Sequence, residues 1–282
     1  MSWKRLGAIA PRDLVDARLQ LHYATLVVAS AGATLLEPKP DDSHPNLGWL
    51  ESQHALIGRP LPGAAAQMGL NVPDLSLVLV ERNGDVSAEL TLDGRTLEDA
   101  YAWLTASSDL AGVTFPEEGP KRNLYEIPHH DVADGAKFVI ERSEDFVELG
   151  RWFANGHAAL TELTARLPGA SEVRCWPHHF DLGSLLPLEN HPRGSLAKSI
   201  GIGLSLGDES YPEPYWYVSP WPYPEPDALP SLERGGRWHT KGYTSAILTG
   251  SDLIAGPPED QSDRLYAFLD AAVEASRHIL TD

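Results

Sequence analysis

The sequence predicts an α+β protein made of two similar helix–strand–hairpin–helix copies, with mainly antiparallel sheet flanked by helices. Three observations carry this expectation. Long stretches repeat apolar residues at steps of three and four, while shorter ones alternate them at steps of two. Asn83-Gly84 separates two strand-like runs and supplies the positive-φ pair of a tight hairpin. The order of patterns also runs twice, and Trp49-x10-Pro60-Leu61 matches Trp176-x10-Pro187-Leu188 without a gap.

Pro11 suits the first turn of a helix, because its missing N–H needs no partner there. Leu14, Ala17, Leu21, Ala24, Val28 and Ala31 then form the stripe of a helix laid on a core. Glu37 to Asp42, with Pro38 and Pro40, reads as a loop. Leu75 to Arg82 reads as a strand. Its return partner, Asp85 to Leu92, alternates Val86, Ala88, Leu90 and Leu92 with polar residues, which predicts one buried face. Thr96 and Asp99 have the spacing of a capping box ahead of Leu97, Ala100, Tyr101 and Leu104. Residues 112–142 read as linker and loop, with a short strand at Leu124 to Ile127.

The second copy, 143–282, opens with a helix from Ser143 whose stripe is Phe146, Leu149, Phe153, Gly156, Leu160, Leu163 and Leu167. Glu172 to Trp176 reads as a strand. From Ser199 to Leu206 isoleucine and leucine alternate with serine and glycine, leaving one face small enough for a backbone or ligand to lie against. Residues 207–241 read as an aromatic insertion, with alternate prolines in its Trp221 to Pro226 part. Tyr243 to Leu248 is a strand, and a helix from Ser262 closes the chain. The first copy is 1–111, and the two are expected to pack as one globular unit.

Composition excludes some classes of function. Forty acidic against 22 basic residues give a formal charge of −18. Nucleic-acid binders cluster lysine and arginine, and the densest basic runs here, Lys4-Arg5 and Lys121-Arg122, are dipeptides. The lone Cys175 excludes an internal disulfide. No apolar run reaches membrane-spanning length, since Ala24 to Leu36 is short and interrupted by Thr25, Ser30, Gly32 and Thr34. These features point to a cytoplasmic protein without membrane or nucleic-acid partners.

Candidate chemistry concentrates in Trp176-Pro177-His178-His179-Phe180-Asp181. Imidazole and carboxylate are the types that hold a divalent metal or move protons, so His178, His179, Asp181 and His239 are metal candidates. In an extended chain His178 and His179 face opposite ways, whereas His179 and Asp181 share a face. Asp181, His179 and Glu209 are the catalytic candidates, with His191 a further imidazole. Trp176, His178, Trp216, Trp221 and Trp238 are the candidates for binding an apolar ligand. His129-His130-Asp131 repeats the same residue types in a loop. Dinucleotide, phosphate-loop, hydrolase-elbow, zincin and Cys-x-x-Cys motifs do not occur.

The Trp176 to Leu182 block, followed by Ser199 to Leu206, Tyr223-Pro224-Glu225-Pro226 and a closing strand and helix, resembles a family of uncharacterised bacterial proteins with a domain of unknown function. The resemblance is specific in the second half and loose in the first. It implies no activity, and in that family the Asp181 position is steadier than the His179 position. The leading expectation is a small-ligand-binding scaffold with its pocket near Trp176 to Asp181 and the aromatic insertion. The alternatives are a hydrolase using a divalent metal at His178 or His179 with Asp181, and a structural or self-associating protein. The sequence alone decides neither for nor against an enzyme.

Overall fold

The structure, a computed structural model, describes residues 3–190, 196–232 and 235–281. His191 lies outside the described residues. Two compact units divide the chain. The N-terminal unit is Leu14–Gly150 with Arg174–Phe180, and the C-terminal unit is Met1–Asp13, Arg151–Val173 and Asp181–Asp282.

In the N-terminal unit, α1 (Val15–Leu35) is followed by β1 (Gly48–Leu50), β2 (Ala55–Ile57), β3 (Ala66–Asn71), β4 (Ser76–Glu81), β5 (Val86–Thr91) and α2 (Leu97–Leu110). The strands pair antiparallel in sequence order. The expected α1 stripe is buried, and burial extends round the helix from Ala24 to Ala33. Gly32 is required there, because a Cβ would lie 2.9 Å from the carbonyl oxygen of His44, where the next segment crosses the helix. Thr96 and Asp99 form the expected capping box at the start of α2.

Two expectations for this unit change. Val86 is 39% exposed, and Ala88 and Leu90 are half-buried, because β5 is the edge strand of its sheet and only Leu92 reaches the core. Leu124 to Ile127 forms no strand; Tyr125 and its neighbours run as irregular chain.

The helix α3 (Ser143–Ala165) begins where expected and continues into the C-terminal unit. After it come β6 (Arg174–Trp176), β7 (Asp181–Asn190), β8 (Leu196–Ser205), β9 (Tyr215–Trp221), β10 (Arg237–His239), β11 (Ser245–Thr249), α4 (Gly250–Ile254) and α5 (Gln261–Thr281). Within the C-terminal unit the antiparallel order is β10-β11-β9-β8-β7. Strand β9 is therefore a central member of the ladder, not part of an insertion. Only the segment after it, which carries β10, is additional to the pattern of the first copy. The start of the chain is clamped by two side-chain amides. Asn155 Oδ1 accepts from Lys4 N at 2.9 Å, and Gln261 Oε1 accepts from Leu6 N at 3.0 Å.

Both copies use helix, antiparallel sheet, helix, but their register differs by one residue from the tryptophan match. His54, with φ 46°, stands immediately before β2, and Phe180, with φ 52°, stands immediately before β7. Counting back from these two left-handed residues pairs Trp49 with Cys175 and Leu50 with Trp176. Burial agrees, since the middle residue is the buried one in both β1 and β6. A one-residue slip moves a strand side chain to the other face. Trp49 and Trp176 are thus not equivalent.

Candidate functional site

The turn that joins β6 to β7 is built differently from the extended chain expected of it. The amides of His179 and Phe180 both donate to the carbonyl oxygen of Trp176, at 3.2 and 2.8 Å. This closes a tight turn, so His178 and His179 do not face opposite ways; their ring centroids lie 4.3 Å apart. The pairing of His179 with Asp181 on one strand face is lost for the same reason. His179 sits in the turn and is exposed.

His22 of α1 anchors the turn from below. Its ring stacks on Phe180 at 5.0 Å, and its Nε2 lies 2.8 Å from the carbonyl oxygen of Pro177. Burial lowers its pKa to about 4, so it is neutral at pH 7. A carbonyl can only accept, hence Nε2 carries the hydrogen. Beside it, His178 is half-buried, with Tyr125 at 5.4 Å and Trp176 edge-on at 5.9 Å. Burial and the neighbouring His179 lower its pKa, against the raising influence of Asp42. His178 Nδ1 is buried and has no hydrogen-bond partner among the described residues. Tyr125 donates its hydroxyl to Asp42 Oδ2 at 2.5 Å, and burial, then Asp42, raises its pKa.

The other candidates are placed apart. Asp181 belongs to the C-terminal unit, where Oδ2 accepts from the Tyr217 hydroxyl at 2.5 Å. His239 is on β10 of that unit; its Nε2 lies 2.8 Å from the carbonyl oxygen of Lys241 and its Nδ1 3.0 Å from the Tyr211 hydroxyl. By the rule used for His22, Nε2 donates and Tyr211 donates to Nδ1. Glu209 is exposed on a turn whose bonds are made by Asp208. Among the described residues no three His, Cys, Asp or Glu side chains gather as a metal-ligand set. His129 and His130 are held by Asp134 at 2.9 Å and Asp16 at 3.1 Å.

The three tryptophans of the expected aromatic lid do not form one surface. Trp216 is 0% exposed on the core face of β9, while Trp221, five residues on and so on the opposite face, is 48% exposed against Tyr223. Trp238 donates Nε1 to the carbonyl oxygen of Pro230 at 2.7 Å. The small face of β8 is covered at Gly203 by the ring of Tyr217, its cross-strand partner.

A cleft that the residue patterns did not single out lies in the N-terminal unit. It encloses about 320 Å³ and is lined by β1, β2, β3, β4 and Arg174 of β6. Leu50, Ile57 and Val80 contribute apolar surface, and Leu50 packs on the cluster of Ala55, Ile57, Val78 and Val80. Trp49 also lines it, with Nε1 bonded to Glu51 Oε2 at 2.8 Å. Gln67, Glu81, Arg82 and Arg174 are its polar members, and Gln67 Nε2 is fixed on the carbonyl oxygen of Gly58 at 2.7 Å. Gly48 makes room for Arg174: a Cβ there would be 2.7 Å from Nη1. A larger hollow of about 760 Å³ is walled by Gly63 to Ala66, Leu79, Asn83, Ser87, Leu110 and Ala111, and shares Glu81 and Arg82 with the cleft. Trp49, Ile57 and Arg174 line the smaller cleft and not the larger hollow, and we take the smaller as the candidate site. The one sequence signal for it was Gly48 beside Trp49, since the arginine it accommodates lies far along the chain.

No helix among the described residues is long and apolar enough to cross a membrane. No family model, no curated protein and no solved structure matches the chain.

Proposed function

We propose that the N-terminal unit binds a small, partly apolar molecule in the cleft between Trp49, Ile57, Val80 and Arg174. The observation that carries this reading is the cleft itself: apolar surface with several polar groups turned to the same space, in the usual size range of ligand pockets. It moves the expected pocket from the Trp176 to Asp181 segment to the neighbouring sheet and replaces the lid tryptophans with Trp49. Trp176 and His178 remain beside it in sequence, at the far end of β6 from Arg174. A reducing, cytoplasmic setting suits a chain whose single cysteine is buried and forms no disulfide.

Amide chemical-shift mapping against a set of small apolar and amphipathic compounds tests the proposal. Saturable shifts are expected at Gly48, Leu50, Ile57, Gln67 and Val80. Leu50→Trp, which fills the cleft from its half-buried rim, is expected to abolish them while the dispersion of the spectrum is kept. Shifts that never saturate, or that survive Leu50→Trp unchanged, would show that this cleft is not a binding site.

A further inference from the structure

Three half-buried rings of the N-terminal unit meet beside a carboxylate, and from this we infer a second site there, for a small organic ammonium ion. It shares no lining residue with the cleft at Trp49 and stands whatever that cleft binds. Trp176 ends β6, Tyr125 lies on the irregular chain before α3, and Asp42 is on the segment between α1 and β1. The rings of Tyr125 and Trp176 lie 5.4 and 5.9 Å from that of His178. Their planes are tilted at 49° and 78° to it, so they form the walls of a corner and not a flat stack. All three residues keep part of their surface in solvent. An ammonium ion is drawn to the faces of such rings, because the π cloud carries negative charge there. Burial and the neighbouring His179 hold His178 neutral at pH 7, so its ring adds a π face and no positive charge.

Asp42 supplies the charge. Its Oδ2 accepts from the Tyr125 hydroxyl at 2.5 Å, which fixes the carboxylate to one of the rings. Its Oδ1 lies 3.6 Å from His44 Nδ1, but that nitrogen accepts from Lys39 N at 3.4 Å and so carries no hydrogen for Asp42. Among the described residues no lysine or arginine pairs with Asp42, whose side chain is 46% exposed. A carboxylate without a cation beside open rings is an arrangement that an ammonium ion completes. The backbone around the corner is also unusual. Asp42, Asn123 and Phe180 are three of the five described non-glycine residues with positive φ, at 55°, 51° and 52°. Asn123 stands two residues before Tyr125, and Phe180 two after His178. Backbone of this kind costs free energy and gathers at functional sites.

The test titrates the full chain with choline and with neohexyl alcohol, which has the same shape and no charge, at physiological ionic strength. The amide shifts of Asp42, Tyr125, His178 and His179 report on the corner. Choline is expected to shift them saturably and to bind about tenfold more tightly than the alcohol, the scale of a partly desolvated cation–π contact. Asp42→Asn removes the charge and keeps a side chain suited to positive φ, so it is expected to fold. Tyr125→Leu removes a ring from a half-buried position on irregular chain. Each is expected to cut the advantage of choline over the alcohol severalfold. Equal binding of the two probes, or failure of both to bind, would overturn the site. A choline advantage that survives either variant in full would place the cation elsewhere on an acidic chain and overturn it as well. Phosphatidylcholine vesicles then identify the source of the ion. Competition with choline at these amides assigns the head of a lipid, and no competition a free ion.

Discussion

Tyr217 reaches Asp181 across a glycine. Its ring lies over Gly203, its cross-strand partner, and its hydroxyl donates to Asp181 Oδ2 at 2.5 Å. Asp181 is 7% exposed, and burial, followed by the nearby carboxylate, holds the Tyr217 hydroxyl protonated. A Cβ at position 203 would stand 2.4 Å from both the Tyr217 ring and the backbone oxygen of Leu182. Gly203→Ala is therefore expected to destabilise the protein by about 1–3 kcal/mol, as overpacking does, or more if the strand cannot shift. Tyr217→Phe keeps the ring and removes one donor from a buried carboxylate, an expected loss of about 1–3 kcal/mol. Urea unfolding of the two variants measures both.

Acid is expected to weaken the N-terminal unit through His22. Burial lowers its folded pKa from 6.5 to about 4, so between these values the unfolded chain binds a proton that the folded one does not. Stability therefore falls as pH drops from about 6.5 to about 4, and is present in full above that window. The contribution is roughly 3 kcal/mol from the size of the shift. His178, lowered in the same direction, adds to the slope. Unfolding at pH 7 and pH 4.5 should show a clearly smaller difference for His22→Phe, which retains a ring against Phe180. An unchanged difference would mean that the acid sensitivity arises elsewhere.

Gly156 offers a test in which two effects oppose each other. In a helix interior, glycine to alanine ordinarily gains about 1 kcal/mol. Here the added Cβ would lie 2.6 Å from Leu204 Cδ2 and 3.0 Å from Leu182 Cδ1, both in a fully buried layer of the C-terminal unit. Overpacking of about 1–3 kcal/mol is expected to win. Thermal unfolding should place Gly156→Ala below the parent.

The capping box at α2 is a fourth case. Thr96 Oγ1 accepts from Asp99 N at 3.2 Å, and Asp99 Oδ2 accepts from Thr96 N at 2.9 Å. Thr96→Ala removes half of this exchange and is expected to cost about 1 kcal/mol in denaturant unfolding.

The candidate site was the least legible part of the chain. The alternation in β9 did separate Trp216 from Trp221, but the aromatic richness of the segment suggested one surface where the pleat makes two. The run from Trp176 to Phe180 follows a strand, and its side chains were placed as an extended continuation of it would place them. It closes as a turn through the amides of His179 and Phe180 on the carbonyl oxygen of Trp176, with His22, on a helix more than a hundred residues earlier, at the carbonyl oxygen of Pro177. The cleft depends on Arg174 lying against Gly48, a contact that neither residue announces in its own neighbourhood.

The sequence by itself determined the fold class and most of the elements: α1, the β4–β5 hairpin at Asn83-Gly84, the Thr96 cap, α3, β8 and α5. Periodicity, turn chemistry and capping act within a few residues, so the local chain carries them. Tertiary structure decided the register between the copies, the central place of β9, the partners of Asp181 and His178, and the approach of Arg174 to Gly48. Those are choices among distant segments. They are settled by which side chains a shared core and a crossing backbone leave room for, and no short window of sequence contains both partners.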